Sequence, residues 1–225
     1  MKRITVLSIL LCTIFSVVLP AQPPQRFQAE VEQLLAKTSV DGGEAPLILF
    51  TGSSSIRFWR SLPEAFPEHR VLNMGFGGSQ ASDLLHYLDA LVLAWQPDQV
   101  FIYEGDNDLA DGKPVRQVRQ DFISLVQRLH EADPGLSIVL IAAKPSPARW
   151  QLRREYERLN RRLRRMAKRL DYLDFVDVWQ PMLDEKGVPR ASIFLEDQLH
   201  MNAAGYGIWR AVIRPYLLPA AGTEE

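Results

Sequence analysis

The chain has 225 residues, of which 47% are hydrophobic and 24% are charged. These proportions are ordinary for a globular protein, and the length is sufficient for one α/β domain with a sizeable core. A net charge of -1 excludes global electrostatic attraction of a polyanion, so any basic partner site has to be local.

The first 21 residues have the layout of a secretory signal peptide. Lys2 and Arg3 precede an uncharged apolar stretch, Ile4–Leu19, and Ala21 places a small residue at the expected cleavage point. The apolar stretch is shorter than the roughly 20 residues that span a bilayer. We therefore expect an exported protein, periplasmic or secreted, with an uncleaved N-terminal membrane anchor as the alternative.

The only cysteine, Cys12, lies inside this segment. It follows Leu11, whereas a lipoprotein signal needs a small residue there, so we expect no lipid anchor. After cleavage the chain would contain no cysteine. This excludes disulfides, thiolate metal sites and a cysteine nucleophile from the mature protein.

Beyond the signal segment, short apolar runs alternate with longer stretches of helical periodicity. The predicted strands are Leu47–Thr51, Arg70–Met74, Gln99–Tyr103, Ile138–Ala142 and Leu173–Val178. The predicted helices are Arg26–Thr38, Ser79–Ala94, Val115–Ala132, Trp150–Leu170 and Ala203–Leu217. Strands separated by helices of this length indicate βαβ units, and right-handed crossovers place helices on both faces of the sheet. We predict a three-layer α/β/α sandwich around a five-stranded parallel sheet of flavodoxin-like type.

This pattern divides the chain into four segments. They are the signal peptide (1–21), an N-terminal helix and connector (22–46), one α/β domain (47–218) and a short tail (219–225).

Polar or glycine-rich segments follow all five predicted strands. In chain order they are Gly52–Ser55, Gly75–Ser79, Gly105–Asp108, Lys144–Pro147 and, further beyond the last strand, Asp197–His200. Ligands of open parallel sheets bind beyond the carboxyl ends of the strands. We therefore expect these segments to meet at one edge and to form the functional site.

Two of these segments contain the groups of an activated hydroxyl nucleophile. A serine on a tight loop can be deprotonated by a histidine that a nearby carboxylate orients, here His200 with Asp197. The alternative is that Ser53–Ser55 caps a helix and that Asp197 and His200 belong to an ordinary turn. The spacing alone does not select one serine among the three.

The glycine-rich segment Gly75–Ser79 is not a dinucleotide-binding fingerprint, because Gln80 stands where the third glycine would be. Its backbone amides and the side chain of Asn107 could instead hold the charge of a tetrahedral intermediate, or the two segments are only turns. No histidine pair has zinc-ligand spacing, and no phosphate-binding loop is present. We expect neither a metal nor an organic cofactor.

Together, four blocks resemble those of the SGNH hydrolase superfamily, also called the GDSL-type esterases. They are, in order, Gly52-Ser53-Ser54, Asn73–Gly78, Gly105–Asp108 and Asp197–His200. The resemblance extends over about 47–217, so it identifies the segment 47–218 as an SGNH hydrolase domain. Ser53 stands where an aspartate is usual, as in a bacterial exported subgroup with a Gly-Ser-Ser-Ser nucleophile block.

The resemblance implies a role for each site residue. Ser54 would be the nucleophile, His200 the base and Asp197 its orienting partner, while the amides of Ser54 and Gly78 and the side chain of Asn107 would form the oxyanion hole. The implied activity is hydrolysis of small acyl esters through an acyl-Ser54 intermediate, with carbohydrate O-acetyl groups as the first expectation. The alternatives are a lysophospholipase or thioesterase acting on lipid esters, an acyl transferase with the same triad, and a non-enzymatic envelope-binding protein.

The carboxylates near Asn107 have two possible interpretations. Glu104, Asp106 and Asp108 surround Asn107, either as turn-capping residues or as a local negative field near the oxyanion hole.

The predicted helix Trp150–Leu170 is basic, with ten Lys or Arg and two Glu between positions 149 and 169. Such a run is usually a solvated face, and the alternative is weak contact with anionic envelope components. It lacks the interleaved aromatic residues of a nucleic-acid platform, so we expect no nucleic-acid partner. The sequence leaves the oligomeric state and the exact ester open.

Overall fold

The computed structural model describes residues 24–40 and 42–220. The predicted signal peptide (1–21) and the final residues from 221 onward lie outside these described residues. Within them, no helix combines the length and the apolar composition needed to cross a membrane.

Five parallel strands form one sheet at the centre of the molecule. They are β1 (Leu47–Gly52), β2 (Arg70–Gly75), β3 (Gln99–Tyr103), β4 (Ser137–Ile141) and β5 (Leu173–Val176). Their spatial order is β2-β1-β3-β4-β5, which is the flavodoxin-like order. All residues of β1 and β3 are buried, as expected for strands that helices cover on both faces. The predicted five-stranded parallel sheet is confirmed.

Eight α-helices surround the sheet in the described part of the chain. They are α1 (Gln28–Lys37), α2 (Ser54–Arg57), α3 (Leu62–Ala65), α4 (Ala81–Leu91), α5 (Asp106–Ala110), α6 (Val115–Ala132), α7 (Arg153–Ala167) and α8 (Ala203–Ile213). The five predicted helices are present, although four of them are shorter than predicted and have a 3-10 turn at one end. The short helices α2, α3 and α5 were not predicted.

The direction of each crossover decides which face a helix covers. The chain moves one way along the sheet from β2 through β3 and β4 to β5, so right-handed connections place α4, α6 and α7 side by side on one face. The step from β1 to β2 runs the other way, which puts α2 and α3 on the opposite face. There Trp59 contacts Tyr206 and Trp209 of α8, with ring centroids 5.2 and 6.0 Å apart. The three-layer α/β/α sandwich is therefore confirmed.

The register of the strands brings their carboxyl ends together. Gly52, the last residue of β1, pairs with Gly75 of β2 and with Tyr103 of β3. Gly52 has φ of 123°, and a Cβ there would lie 2.0 Å from the carbonyl oxygen of Tyr103. Only glycine fits this junction, which turns the chain from the sheet into α2.

The core on the α8 face is rich in aromatic side chains. The fully buried Phe50 stacks on Phe101 and on Phe66, with ring centroids 4.5 and 6.0 Å apart. Its edge also meets Trp59 at a centroid distance of 6.0 Å. Phe50 therefore joins β1, β3 and the connection between α2 and β2 into one apolar layer.

We predict that Phe50→Ala lowers the free energy of unfolding by about 3–5 kcal/mol, because it removes buried surface and leaves a cavity that rigid neighbours cannot fill. Urea unfolding at neutral pH measures this loss. The matched control is Val188→Ala, an apolar truncation at a position that is 38% exposed, which should change stability by less than about 0.5 kcal/mol. Equal losses in the two variants would contradict the assignment of Phe50 to the core.

Candidate active site

Ser54 occupies the first position of α2, directly after β1 ends. The amide of Ser53 donates to the Tyr103 carbonyl oxygen over 3.0 Å, which fixes the loop to the end of β3. The side chain of Ser54 remains partly exposed, whereas Ser53 and Ser55 are buried. Among the three serines, Ser54 is therefore the one presented at the carboxyl edge of the sheet.

His200 reaches Ser54 from the far end of the sequence. Its Nε2 atom lies 3.0 Å from the Ser54 hydroxyl oxygen, and its Nδ1 atom lies 2.6 Å from Oδ2 of Asp197. Because a carboxylate only accepts hydrogen bonds, Nδ1 carries the ring proton and Nε2 is left to accept from the hydroxyl. The structure thus brings the predicted residues Ser54, His200 and Asp197 into one hydrogen-bonded line.

The loop that carries His200 is held by its own backbone. The amides of Leu199 and His200 each donate to Oδ1 of Asp197 over 2.9 Å. The Leu195 amide donates to the His200 carbonyl oxygen over 2.8 Å, and Gln198 takes a left-handed conformation with φ of 55° to close the turn. The carboxylate therefore orients both the imidazole ring and the loop that presents it.

Asp197 remains ionised throughout the neutral range. Partial burial alone would raise its pKa, but hydrogen bonds from the His200 ring and from the Leu199 and His200 amides outweigh this and lower the pKa of Asp197 to about 2. An ionised carboxylate at this position stabilises a positive charge on the imidazole. This is the electrostatic requirement for a histidine that accepts a proton from serine.

The site is open to solvent. The Asp197 side chain is 47% exposed and the His200 side chain is 20% exposed. One edge of the imidazole is covered by Phe58, whose ring centroid lies 4.8 Å from that of His200 in an edge-to-face arrangement. The hydroxyl of Ser54 and the imidazole of His200 are therefore accessible from the protein surface.

Gly78 and Asn107, predicted as oxyanion-hole donors, lie next to each other. The Asn107 side-chain amide donates from Nδ2 to the Ser79 carbonyl oxygen over 2.9 Å. A Cβ built on Gly78 would come within 3.9 Å of the same Nδ2 atom. The glycine loop is supported from behind by α1, where the Glu30 carboxylate accepts from the Gly77 amide over 2.9 Å.

Arg149, whose role the sequence left open, contacts Asn107 directly. Its guanidinium donates to Oδ1 of Asn107 over 3.0 Å and also pairs with Asp106. A guanidinium has no acceptor atom, so the Asn107 amide has to present its oxygen to Arg149 and its Nδ2 group to the glycine loop. Arg149 thus sets the orientation of the amide that could serve an oxyanion.

Asp106 is the centre of a buried charged cluster beneath Asn107. It accepts hydrogen bonds from Lys144 over 2.9 Å, from the Tyr103 hydroxyl over 2.8 Å and from the Tyr156 hydroxyl over 2.5 Å. Burial alone would raise the pKa of Asp106, but Lys144 and Arg149 hold it well below its ordinary value. Lys144 is itself buried in this cluster, so it faces Asp106 and not a substrate.

The other two carboxylates near Asn107 are also buried. Asp108 accepts from the Gly105 amide over 3.1 Å and pairs with Lys113 over 2.8 Å, which makes it a turn-capping residue. Oε1 of Glu104 accepts from the Ser79 hydroxyl over 2.7 Å, and burial followed by the nearby Asp108 raises the pKa of Glu104 well above its ordinary value. All three carboxylates are hydrogen-bonded or ion-paired within the fold, which favours the capping interpretation over a local negative field near the predicted oxyanion hole.

Across residues 24–40 and 42–220, no group of three or more His, Cys, Asp or Glu side chains could hold a metal ion.

The comparisons with known proteins agree with this geometry. Residues 39–208 match the model of the GDSL-like lipase/acylhydrolase family. The chain belongs to this family and is an SGNH-type carboxylic ester hydrolase. No curated protein matches the chain in sequence.

Solved structures with similar folds include three bacterial proteins. A Streptococcus pneumonia protein, provisionally described as a platelet activating factor, is 24% identical with a TM-score of 0.74, over 87% of this chain and 92% of the other. A GDSL-like lipase of Bacteroides thetaiotaomicron is 21% identical with a TM-score of 0.69, over 86% and 96%. An acetylxylan esterase of Geobacillus stearothermophilus is 20% identical with a TM-score of 0.63, over 78% and 95%. At these identities the similarities establish the fold.

The raised pKa of Glu104 makes the stability of the fold depend on pH. The pKa of Glu104 is raised in the folded protein above the unfolded value of 4.5. Its contribution to the stability of the fold is therefore fully present below pH 4.5 and is lost as the pH rises toward the folded pKa. Glu104→Gln is neutral at every pH and keeps an acceptor oxygen for Ser79. We predict that the melting temperature of Glu104→Gln rises relative to wild type as the pH is raised from about 5 upward, above the unfolded pKa of 4.5. A constant difference across this range would mean that Glu104 is not held protonated.

Proposed function

We propose that this protein is a serine esterase that removes small acyl groups through an acyl-Ser54 intermediate. The observation that carries the proposal is the unbroken hydrogen-bonded line from Asp197 through His200 to the Ser54 hydroxyl. An isolated serine hydroxyl is a weak nucleophile at neutral pH, and an adjacent oriented base is what activates it.

Acylation is the first half of the proposed reaction. The Ser54 oxygen attacks the carbonyl carbon of the ester while its proton passes to Nε2 of His200. The carbonyl electron pair moves to the oxygen, which becomes a tetrahedral oxyanion. The intermediate then collapses, the bond to the alcohol oxygen breaks, and the departing alcohol takes the proton from His200.

Deacylation repeats these steps with water. His200 removes a proton from a water molecule, whose oxygen attacks the acyl carbon. Collapse of the second intermediate breaks the bond to Ser54, and the serine oxygen recovers its proton from His200. The free acid and the original serine are the products, and Asp197 stabilises the protonated imidazole in both halves.

The developing oxyanion would be held by the amides of Ser54 and Gly78 and by Nδ2 of Asn107. Such donors are preorganised when their orientation is fixed before the substrate arrives, and they then cost no rearrangement in the transition state. The contact between Arg149 and Oδ1 supplies this fixed orientation for Asn107. Arg149 is therefore proposed as a positioning residue that acts through Asn107.

Carbohydrate O-acetyl groups are the substrate class we favour. The open site around His200 would admit an ester on a polymer, and one structural neighbour is an acetylxylan esterase. The proposed export of the protein would also bring it to glycans outside the cytoplasm. Lipid esters, thioesters and transfer to a second hydroxyl group are the alternatives that the following assay separates.

Hydrolysis of p-nitrophenyl acetate, butyrate and octanoate tests the acyl preference. We expect turnover that depends on Ser54 and falls steeply from acetate to octanoate. A preference for octanoate would favour lipid esters instead. Addition of a polyol acceptor to the acetate reaction, with product analysis by mass spectrometry, distinguishes hydrolysis from acyl transfer.

Substitutions in the triad should remove nearly all of this activity. We predict that Ser54→Ala and His200→Ala each abolish measurable turnover of p-nitrophenyl acetate, because triad members act as a unit. Asn107→Ala should retain activity that is reduced by roughly 10²–10³-fold. Ser55→Ala, which alters the neighbouring buried serine, is the matched control and should remain close to wild type. Full activity in Ser54→Ala would remove Ser54 from the mechanism.

The role of Arg149 can be isolated with a double-mutant cycle. We predict that Arg149→Met lowers kcat by part of the ~10²–10³-fold effect of Asn107→Ala, with little change in KM, because it frees an amide that acts in the transition state. In the Asn107→Ala background the same substitution should cause almost no further loss of kcat. Melting temperatures of the four proteins monitor the lost pairing with Asp106. An equal loss of kcat in both backgrounds would show that Arg149 does not act through Asn107.

A further inference from the structure

A second concave surface lies between α6 and α7, away from the triad. Tyr172, one of its lining residues, directly precedes β5, so this part of its lining lies at the amino-terminal edge of the sheet. Ser54 and His200 lie at the carboxyl edge. The proposed ester hydrolysis makes no use of this surface.

The cavity has a volume of about 630 Å³, which is in the usual range of small-molecule sites. Its apolar lining consists of Ile123, Val126, Met166, Leu170 and Tyr172. Four arginines and one glutamine complete it, namely Arg119, Arg162, Arg165, Arg169 and Gln127. Apolar side chains from α6, from α7 and from the connection between α7 and β5 thus lie beside a group of cations. We call this surface the arginine groove.

The charge of the arginine groove is not balanced locally. No Asp or Glu is among its lining residues. Elsewhere on α7, Arg161 pairs with Glu157 and Arg164 pairs with Asp177. The four groove arginines take part in none of the ion pairs formed within the described residues. Like charges that converge on a concave surface repel one another and create a local field that attracts an anion.

The apolar lining narrows the choice of anion. A purely polar polyanion would bind to the arginines alone and would leave the apolar lining unused. A basic helix face that is only solvated would not require a cavity. A neighbouring cavity of about 500 Å³ shares Arg162, but its lining includes Glu155 and it lies beside α5 at the other edge of the sheet, so it is not part of the arginine groove. An elongated apolar chain would lie along the two helices, while its charged head would contact the arginines.

We propose that the arginine groove binds a single anionic amphiphile, a molecule with an apolar chain and a phosphate or carboxylate head. Guanidinium groups form strong, charge-assisted hydrogen bonds with both head groups. The chain is held by apolar contact with α6 and α7. This site is separate from the ester-hydrolysing site, and the proposal does not depend on the acyl preference of Ser54.

Isothermal titration with dodecyl phosphate, kept below its micelle concentration, tests the proposal on the whole protein. We expect saturable binding with one molecule per chain. The double variant Arg162→Gln/Arg165→Gln should weaken binding by roughly tenfold or more, since two charged contacts are lost. The double variant Arg154→Gln/Arg161→Gln is the matched control, because it removes the same charge from the same helix outside both cavities. It should leave the dissociation constant unchanged.

Binding of related ligands separates the contribution of the charged head from that of the apolar chain. Inorganic phosphate and dodecanol should each bind far more weakly than dodecyl phosphate, and dodecanoate should bind comparably. Ile123→Ser should weaken dodecyl phosphate without altering the response to phosphate. If inorganic phosphate bound as tightly as dodecyl phosphate, the groove would be a simple anion site and the proposal would be wrong. If dodecanol bound as tightly, the arginines would have no role in binding, which would also contradict the proposal.

Vesicle sedimentation distinguishes a single amphiphile from a membrane surface. We expect no more sedimentation with phosphatidylcholine vesicles containing phosphatidylglycerol than with phosphatidylcholine alone at physiological salt. Strong sedimentation with the anionic vesicles, combined with no binding of monomeric dodecyl phosphate, would overturn the proposal in favour of a membrane contact. The proposal would also be overturned if Arg162→Gln/Arg165→Gln and Arg154→Gln/Arg161→Gln weakened the binding of dodecyl phosphate equally.

Discussion

The buried charge of Asp106 is the constraint on which the geometry of the candidate site depends. A carboxylate removed from water has to be compensated, and here Lys144, Arg149, Tyr103 and Tyr156 supply that compensation. These partners come from β3, from the segment after β4 and from α7. One charge therefore draws three parts of the chain together and holds Arg149 against Asn107. The cost of an uncompensated buried carboxylate is what makes the arrangement rigid.

The proposed triad depends on the sheet in a different way. Ser54 and His200 are far apart in sequence, and their contact requires that β1 and the segment beyond β5 end at the same edge of the sheet. The Gly52 junction fixes the serine side, where no larger residue fits against Tyr103. On the histidine side, Asp197 fixes the ring and its own loop with the same carboxylate. Each half of the proposed nucleophilic pair is thus held in place by its own local backbone.

Features that leave a pattern over many residues could be predicted from the sequence, whereas features set by a few residues or by distant contacts could not. The strands and the long helices were predicted because buried runs and helical periodicity extend over many residues. The helices α2 and α5 have only four and five residues, too few to show a helical period, so the sequence predicts loops at Ser54 and Asn107. The local sequence around Asp106 indicates only a turn, because its partners Lys144 and Arg149 are 38 and 43 residues away. The roles of Asp106 and Arg149 arise from tertiary packing that no local pattern encodes.

The central claim is that Ser54, activated by His200, is the nucleophile. Reaction of the folded protein with a fluorophosphonate, followed by peptide mass spectrometry, tests this most directly, because the reagent bonds covalently to an activated serine. The account predicts phosphonylation at Ser54 in wild type, none in Ser54→Ala and a strongly slowed reaction in His200→Ala. Labelling of Ser53 or Ser55 instead, or no labelling of the folded protein, would contradict it.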